Sequence, residues 1–88
     1  MAAPYRILLS RRADKVLGEL ARTQPQACTA IEDALAAMAE DWTLGDVKKL
    51  RGRQGYRRRV RNYRLLFRVD TEQGVILIDD IALHHRGY

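Results

Sequence analysis

Apolar and polar positions alternate early in the chain, where Tyr5, Ile7 and Leu9 are interleaved with Arg6, Leu8 and Ser10. A period of two with one face more apolar predicts a short strand. The period then lengthens. Ala13, Val16, Leu17 and Leu20 recur at helical spacing, and Ser10 is placed to cap the first turn, so a short amphipathic helix is expected up to about Ala21 or Arg22. Cys28, Ile31, Ala34, Leu35 and Met38 form a second helical stripe, with Thr23 as its candidate cap and Pro25 tolerated in its first turn. The two helices are expected to form a hairpin.

After Trp42 the helical period stops. The stretches "TLGD" and "RGRQG" carry the glycines and polar residues of loops. From Tyr56 the chain reads as strands: Tyr56, Val60, Leu65, Phe67 and Val69 favour extended structure, with a tight reversal at Arg61 and Asn62. Asp70 to Gly74 reads as a polar turn, and Val75 to Ile78 starts a further strand reaching roughly Leu83. The predicted order is β-α-α-β-β-β, an α+β domain over residues 1–88 with an N-terminal strand, a two-helix hairpin and a three-stranded antiparallel segment. Helices on one face of a small, mostly antiparallel sheet bury both apolar surfaces. Trp42, just past the second helix, is expected to close the core, whereas Tyr56 and Tyr63 suit either the core or an exposed edge.

Composition supports one folded domain, because 47% hydrophobic and 31% charged residues in 88 positions leave room for a single modest core. The lone Cys28 excludes an internal disulfide or a cysteine-rich metal site. No apolar run approaches the ~20 residues of a membrane-spanning helix, and Met1 to Ser10 lacks the apolar region of a secretory leader, so a cytoplasmic protein without membrane contact is expected. Charge changes the picture most. Residues 1–47 hold 5 Lys/Arg and 7 Asp/Glu, residues 48–68 hold 10 and 0, and residues 69–88 hold 1 and 4. The positive field therefore comes from "KKLRGRQGYRRRVRNYRLLFR", a block suited to holding a polyanion through phosphate contacts.

The run "VKKLRG", followed by "GYRRRVRNYRLLFRVD" and "VILIDDIALHHRGY", resembles the RelE/ParE superfamily of bacterial toxins in its RelE-like branch. The resemblance rests on a Lys-Leu-x-Gly segment, a Gly-Tyr step into a basic strand and a Tyr-Arg-Leu step into the next, within residues 47–88. It implies a toxin encoded beside an antitoxin, a RelE-like fold, and endoribonuclease activity on messenger RNA in the ribosomal A site. The implied chemistry is metal-independent, with no cofactor: the 2′-hydroxyl attacks the adjacent phosphate and leaves a cyclic phosphate. The ParE branch has a similar fold, inhibits DNA gyrase and lacks the ribonuclease residues.

Such a transesterification needs a group to take the 2′-proton, positive charge on the phosphate and a donor for the leaving 5′-oxygen. If Tyr56 to Arg61 is a strand, Arg57, Arg59 and Arg61 share one face while Tyr56, Arg58 and Val60 share the other. Arginine stays protonated, so Arg57 and Arg59, standing where the RelE pattern often has lysines, suit phosphate clamping rather than proton abstraction. Arg64 matches the arginine of the family's Tyr-Arg-Leu step and is the candidate for transition-state charge stabilisation; the plain alternative for all three is a solvated strand face. At the C-terminus the resemblance aligns His85–Arg86 with a basic pair that ends the last strand, and Tyr88 with a following tyrosine, although the spacing is shorter than the family's. Adjacent strand residues face opposite ways, so only one of His84 and His85 is expected to face the basic surface, as base or acid. Tyr88 suits base stacking or proton donation.

Lys48, Lys49, Arg51 and Arg53 precede the basic strand in a loop-like region and, with Arg61, extend a candidate RNA- or ribosome-binding track. Asp79 and Asp80 lack the further ligands a metal site needs. A basic surface of this kind also suits an acidic antitoxin segment wrapping the toxin. Three readings result: an mRNA endonuclease, a ParE-like gyrase inhibitor without catalysis, or an RNA-binding module weakened by its arginine substitutions and short C-terminus.

Overall fold

In the computed structural model, which describes residues 3–83, the first strand, β1 (Arg6–Leu9), passes through Ser10 into α1 (Arg11–Thr23). Ser10 makes this corner in two directions. Its Oγ accepts the Ala13 N–H at 3.0 Å, capping the helix, and donates to the Asp79 carbonyl at 2.7 Å, tying that cap to the last strand. The second helix, α2 (Pro25–Glu40), begins at Pro25, whose missing N–H is one that a first turn would leave without an intrahelical partner. Thr23 does not cap it. Its hydroxyl donates back to the Glu19 carbonyl at 2.9 Å, keeping Thr23 as the last residue of α1, and Gln24 is the N-cap without a side-chain bond.

Beyond the helices lie β2 (Val47–Lys49), β3 (Tyr56–Val60), β4 (Tyr63–Asp70) and β5 (Val75–Leu83). They join β1 in one mixed five-stranded sheet of order β1-β5-β4-β3-β2. Among the described residues only the β1–β5 pairing is parallel, and the helical hairpin lies within the long connection that such a pairing requires. The predicted order therefore holds with one strand added. Val47–Lys49, expected as loop, is an edge strand whose three residues are too few to display a period. Its hairpin with β3 is closed by the Leu50 N–H to Gly55 carbonyl bond at 3.0 Å. Gly55, at φ +114, is required there because a Cβ would lie 2.8 Å from the Phe67 carbonyl oxygen.

The core follows the predicted alternation. Leu65 and Phe67 of β4 and Ile76, Ile78 and Ile81 of β5 pack against Ala13, Leu20, Cys28, Ile31, Leu35 and Met38 from the helices. Trp42 closes one end as expected, its ring centroid 4.8 Å from Tyr56 and 6.2 Å from Phe67. Tyr56 and Tyr63 both pack on this helix side, which settles their assignment. A bulge adjusts β5: Leu66 pairs with Asp80 and Phe67 with Ile78, leaving Asp79 as the extra residue. Two residues in place of one let Ile78 and Ile81 both point inward. Neither helix is long and apolar enough to cross a membrane.

Candidate nucleic-acid interface

Because the helices cover one face of the sheet, strand residues between the inward positions lie on an open face. On β4 these are Arg64, Leu66 and Arg68, alternating with Leu65, Phe67 and Val69, which pack into the core. Cross-strand pairing carries the pattern outward. Arg57 pairs with Leu66 and Arg59 with Arg64 on β3, and Lys48 pairs with Arg57 on β2. Lys48, Arg57, Arg59 and Arg64 thus form one basic patch, with Arg64 flanked by Ala82 of β5 on its other side.

Two features of the patch stand out physically. Arg59 sits directly across from Arg64, and like charges in that position oppose sheet formation. Arg57, by contrast, is half-buried, and its Nη1 donates to the Asp46 carboxylate at 3.2 Å. The Asp46 carbonyl in turn accepts the Arg59 N–H at 3.0 Å, so the residue is fixed at the mouth of the β2–β3 hairpin. Asp46 was missed in the sequence. Its signal was the β2–β3 register, which was invisible once Val47–Lys49 was read as loop.

The remaining basic residues separate. Lys49 pairs with Tyr56 and takes the helix side of the edge strand, while Arg51 and Arg53 are exposed in the turn after β2. Lysines on such an edge also discourage pairing with other chains. Arg58 points to the helix side, as the alternation predicts, and donates to the Leu44 carbonyl at 3.1 Å with its guanidinium packed on Gly45. Arg61 departs from the expected Arg57–Arg59 row. The strand ends at Val60, Arg61 sits in the turn at φ +54, and its side chain lines a groove with Pro25, Gln26, Thr29, Ala30 and Asp33 of α2. The reversal at Arg61 and Asn62 falls where the sequence put it, and that same turn takes Arg61 off the face.

At the far end of the open face, Arg68 makes two bonds to Asp79, of 2.9 and 2.8 Å. The carboxylate pushes the Arg68 guanidinium above its already high ordinary range. Asp80 accepts its neighbour's Ile81 N–H at 2.8 Å and lies 3.3 Å from Arg12. Both aspartates are therefore engaged by arginines. Among the described residues no three His, Cys, Asp or Glu side chains gather as metal ligands. Burial first, and Glu32 second, push the Cys28 thiol up, away from the reactive thiolate. His84, His85, Arg86 and Tyr88 lie outside the described residues. The last described pair is Leu83 with Tyr63, one position from Arg64 and Ala82.

Chemically, the patch can hold an anion and offset negative charge developing on it, since three guanidiniums and an ammonium share one face of three adjacent strands. Among the described residues the patch contains no histidine. The family model of the ParE toxin of type II toxin-antitoxin systems, parDE, matches residues 7–88. No curated protein matches the chain. Among solved structures, the toxin–antitoxin complex RelBE2 from Mycobacterium tuberculosis contains a chain 26% identical, with 91% of this chain and 98% of that one covered at a TM-score of 0.75. The archaeal RelE–RelB complex from Pyrococcus horikoshii OT3 is similar in fold at 22% identity, 96% and 99% coverage and a TM-score of 0.82. The YoeB/ParE toxin from Agrobacterium tumefaciens is likewise similar in fold at 18% identity, 91% and 99% coverage and a TM-score of 0.80.

Proposed function

The chain belongs to the ParE toxin family of type II toxin–antitoxin systems, and from that premise we propose that it acts as an endoribonuclease on messenger RNA, associated with the ribosome and its A site. The observation that carries this reading is the placement of Arg57, Arg59 and Arg64 on one open face, with Arg59 opposite Arg64. An anion that bridges the two guanidiniums offsets their mutual repulsion. In this mechanism Arg57 and Arg59 clamp the phosphate, and Arg64 stabilises the charge that develops as the 2′-oxygen attacks. His84 or His85 takes the 2′-proton and returns one to the leaving 5′-oxygen, with Arg86 adding charge and Tyr88 stacking on a base or donating a proton. Lys48 on the open face, with Arg51 and Arg53 in the neighbouring turn, contributes sequence-independent RNA contacts, while Lys49 and Arg61, which lie off that face, are left for contacts with the ribosome. The reaction needs no metal.

An antitoxin encoded with the toxin is the proposed neutralising partner, through an acidic segment laid over the basic face. The test adds purified protein to translating ribosomes with EDTA-tolerant mapping of mRNA ends. Cuts within translated mRNA that disappear with Arg64→Ala support the reading; intact mRNA overturns it. The ParE match itself favours a second reading, inhibition of DNA gyrase without catalysis. Trapped or linearised DNA in a gyrase assay, with mRNA left intact, selects that reading instead.

A further inference from the structure

We infer that Asp46 is an internal counter-anion that occupies the phosphate position at Arg57 and is displaced when a single-stranded nucleic acid binds. This rests on reading the open face as a nucleic-acid-binding surface. The Asp46 carboxylate lies 3.2 Å from Arg57 Nη1, with the Arg57 side chain 20% exposed and that of Asp46 50% exposed. A half-solvated carboxylate is weakly held and exchangeable, since ion pairs open to water contribute little. Its backbone is not exchangeable. The Asp46 carbonyl accepts the Arg59 N–H, the Val47 N–H bonds the Gly45 carbonyl, and Gly45 packs on the Arg58 guanidinium. The carboxylate is consequently tethered beside Arg57, and a phosphate reaching that guanidinium must compete with it. Arg68 provides the contrast: two bonds to Asp79 hold it in an arrangement that one phosphate oxygen cannot easily replace.

Removing the tethered charge frees Arg57 to take up an external counterion, which a bound strand then releases. A DNA oligonucleotide, oligo-dT, measures this without cleavage, because it has no 2′-hydroxyl. With Asp46→Asn, affinity for oligo-dT at low salt is expected to rise about two- to fivefold. The plot of log K against log salt is expected to steepen by roughly 0.7. Both changes should vanish in an Arg57→Gln background, and Glu72→Gln, the same loss of charge on a distant turn, should not steepen the slope. Asp46→Ser should repeat the Asp46→Asn result. An unchanged or shallower slope, a gain that persists without Arg57, an equal change with Glu72→Gln, or no oligo-dT binding at the lowest salt would each overturn the inference. Failure of mRNA cleavage alone, with the oligo-dT pattern intact, counts against the ribonuclease reading and leaves the role of Asp46 standing.

Discussion

Arg64 and Arg68 stand on the same strand, on the same face, four residues apart, yet their surroundings are opposite. Arg68 lies beside Asp79, which accepts two of its hydrogen bonds, whereas Arg64 lies across from the cation Arg59. The first arrangement serves the sheet. The second sets two like charges opposite each other, which by itself disfavours the pairing. Arginines in one basic block are therefore not equivalent, and the neighbour across the ladder separates them better than the count of charges does.

The strongest way to break this comparison is through activity. Arg64→Ala should lower mRNA cleavage by about 10²–10³-fold, the scale of losing one donor to a developing oxyanion. Arg68→Ala should leave cleavage within about threefold, because losing one charge that Asp79 already neutralises is worth little in binding. Rates from mapped mRNA ends decide the matter: equal losses for the two variants would make the face a general cation surface. The histidines sharpen the same measurement. If His84 or His85 moves the proton, the rate should change through the ordinary histidine range near pH ~6.5, and a profile flat from pH 5 to 8 would remove both from the mechanism.

Much of this contrast was legible in the sequence, and the part that was not has an identifiable cause. Alternation along the basic strand sorted Arg57 and Arg59 from Arg58, because a buried face fixes which residues point outward, whereas Arg64 was singled out by the family resemblance and the ladder sets it beside them. The helical stripes named Ile31, Leu35 and Met38, all buried. Register across strands, however, is not written in any one strand. The Arg59–Arg64 opposition follows from the two-residue turn at Arg61 and Asn62, which the sequence placed but whose register was not drawn out, and the Asp46–Arg57 contact depends on a three-residue edge strand that carries no period. Arg61 shows the cost of extending an alternation too far, since a single turn residue at positive φ leaves the row entirely. The bulge at Asp79 was equally hidden: adjacent aspartates in "IDDI" disclose their count but not that one of them is an extra residue in the ladder.

Stability provides the next break in the comparison. Arg68→Ala should destabilise the fold by up to about 1 kcal/mol, the upper end for a partly exposed pair, because the bond is bidentate and half the site is open to water. A double-mutant cycle with Asp79→Ala, read from urea midpoints, should recover most of that loss as coupling between the two residues. Coupling near zero would mean that Asp79 is held by the bulge alone. Arg59→Glu should do the reverse at the other end, turning a like-charge pair into an opposite-charge one and raising stability by roughly 0.2–1 kcal/mol while abolishing cleavage. Loss of both stability and activity would show that Arg59 supports the hairpin and not only the anion.

The smallest effect is the most specific to the electrostatic origin of the contrast. Screening length falls from about 30 Å at 0.01 M salt to about 3 Å at 1 M, so interactions between exposed charges fade over that range. If Arg59 and Arg64 repel in the free protein, the advantage of Arg59→Glu over the parent should shrink by most of its few tenths of a kcal/mol as salt rises. Arg59→Gln, which removes the repulsion without creating an attraction, should show about half the advantage and the same direction of fading. Packing offers no such dependence, because the contacts of a neutral side chain are insensitive to ionic strength on this scale. An advantage constant from 0.01 to 1 M would therefore assign the Arg59 effect to strand propensity or packing, and would remove the repulsion from which the anion-binding role of the pair is argued.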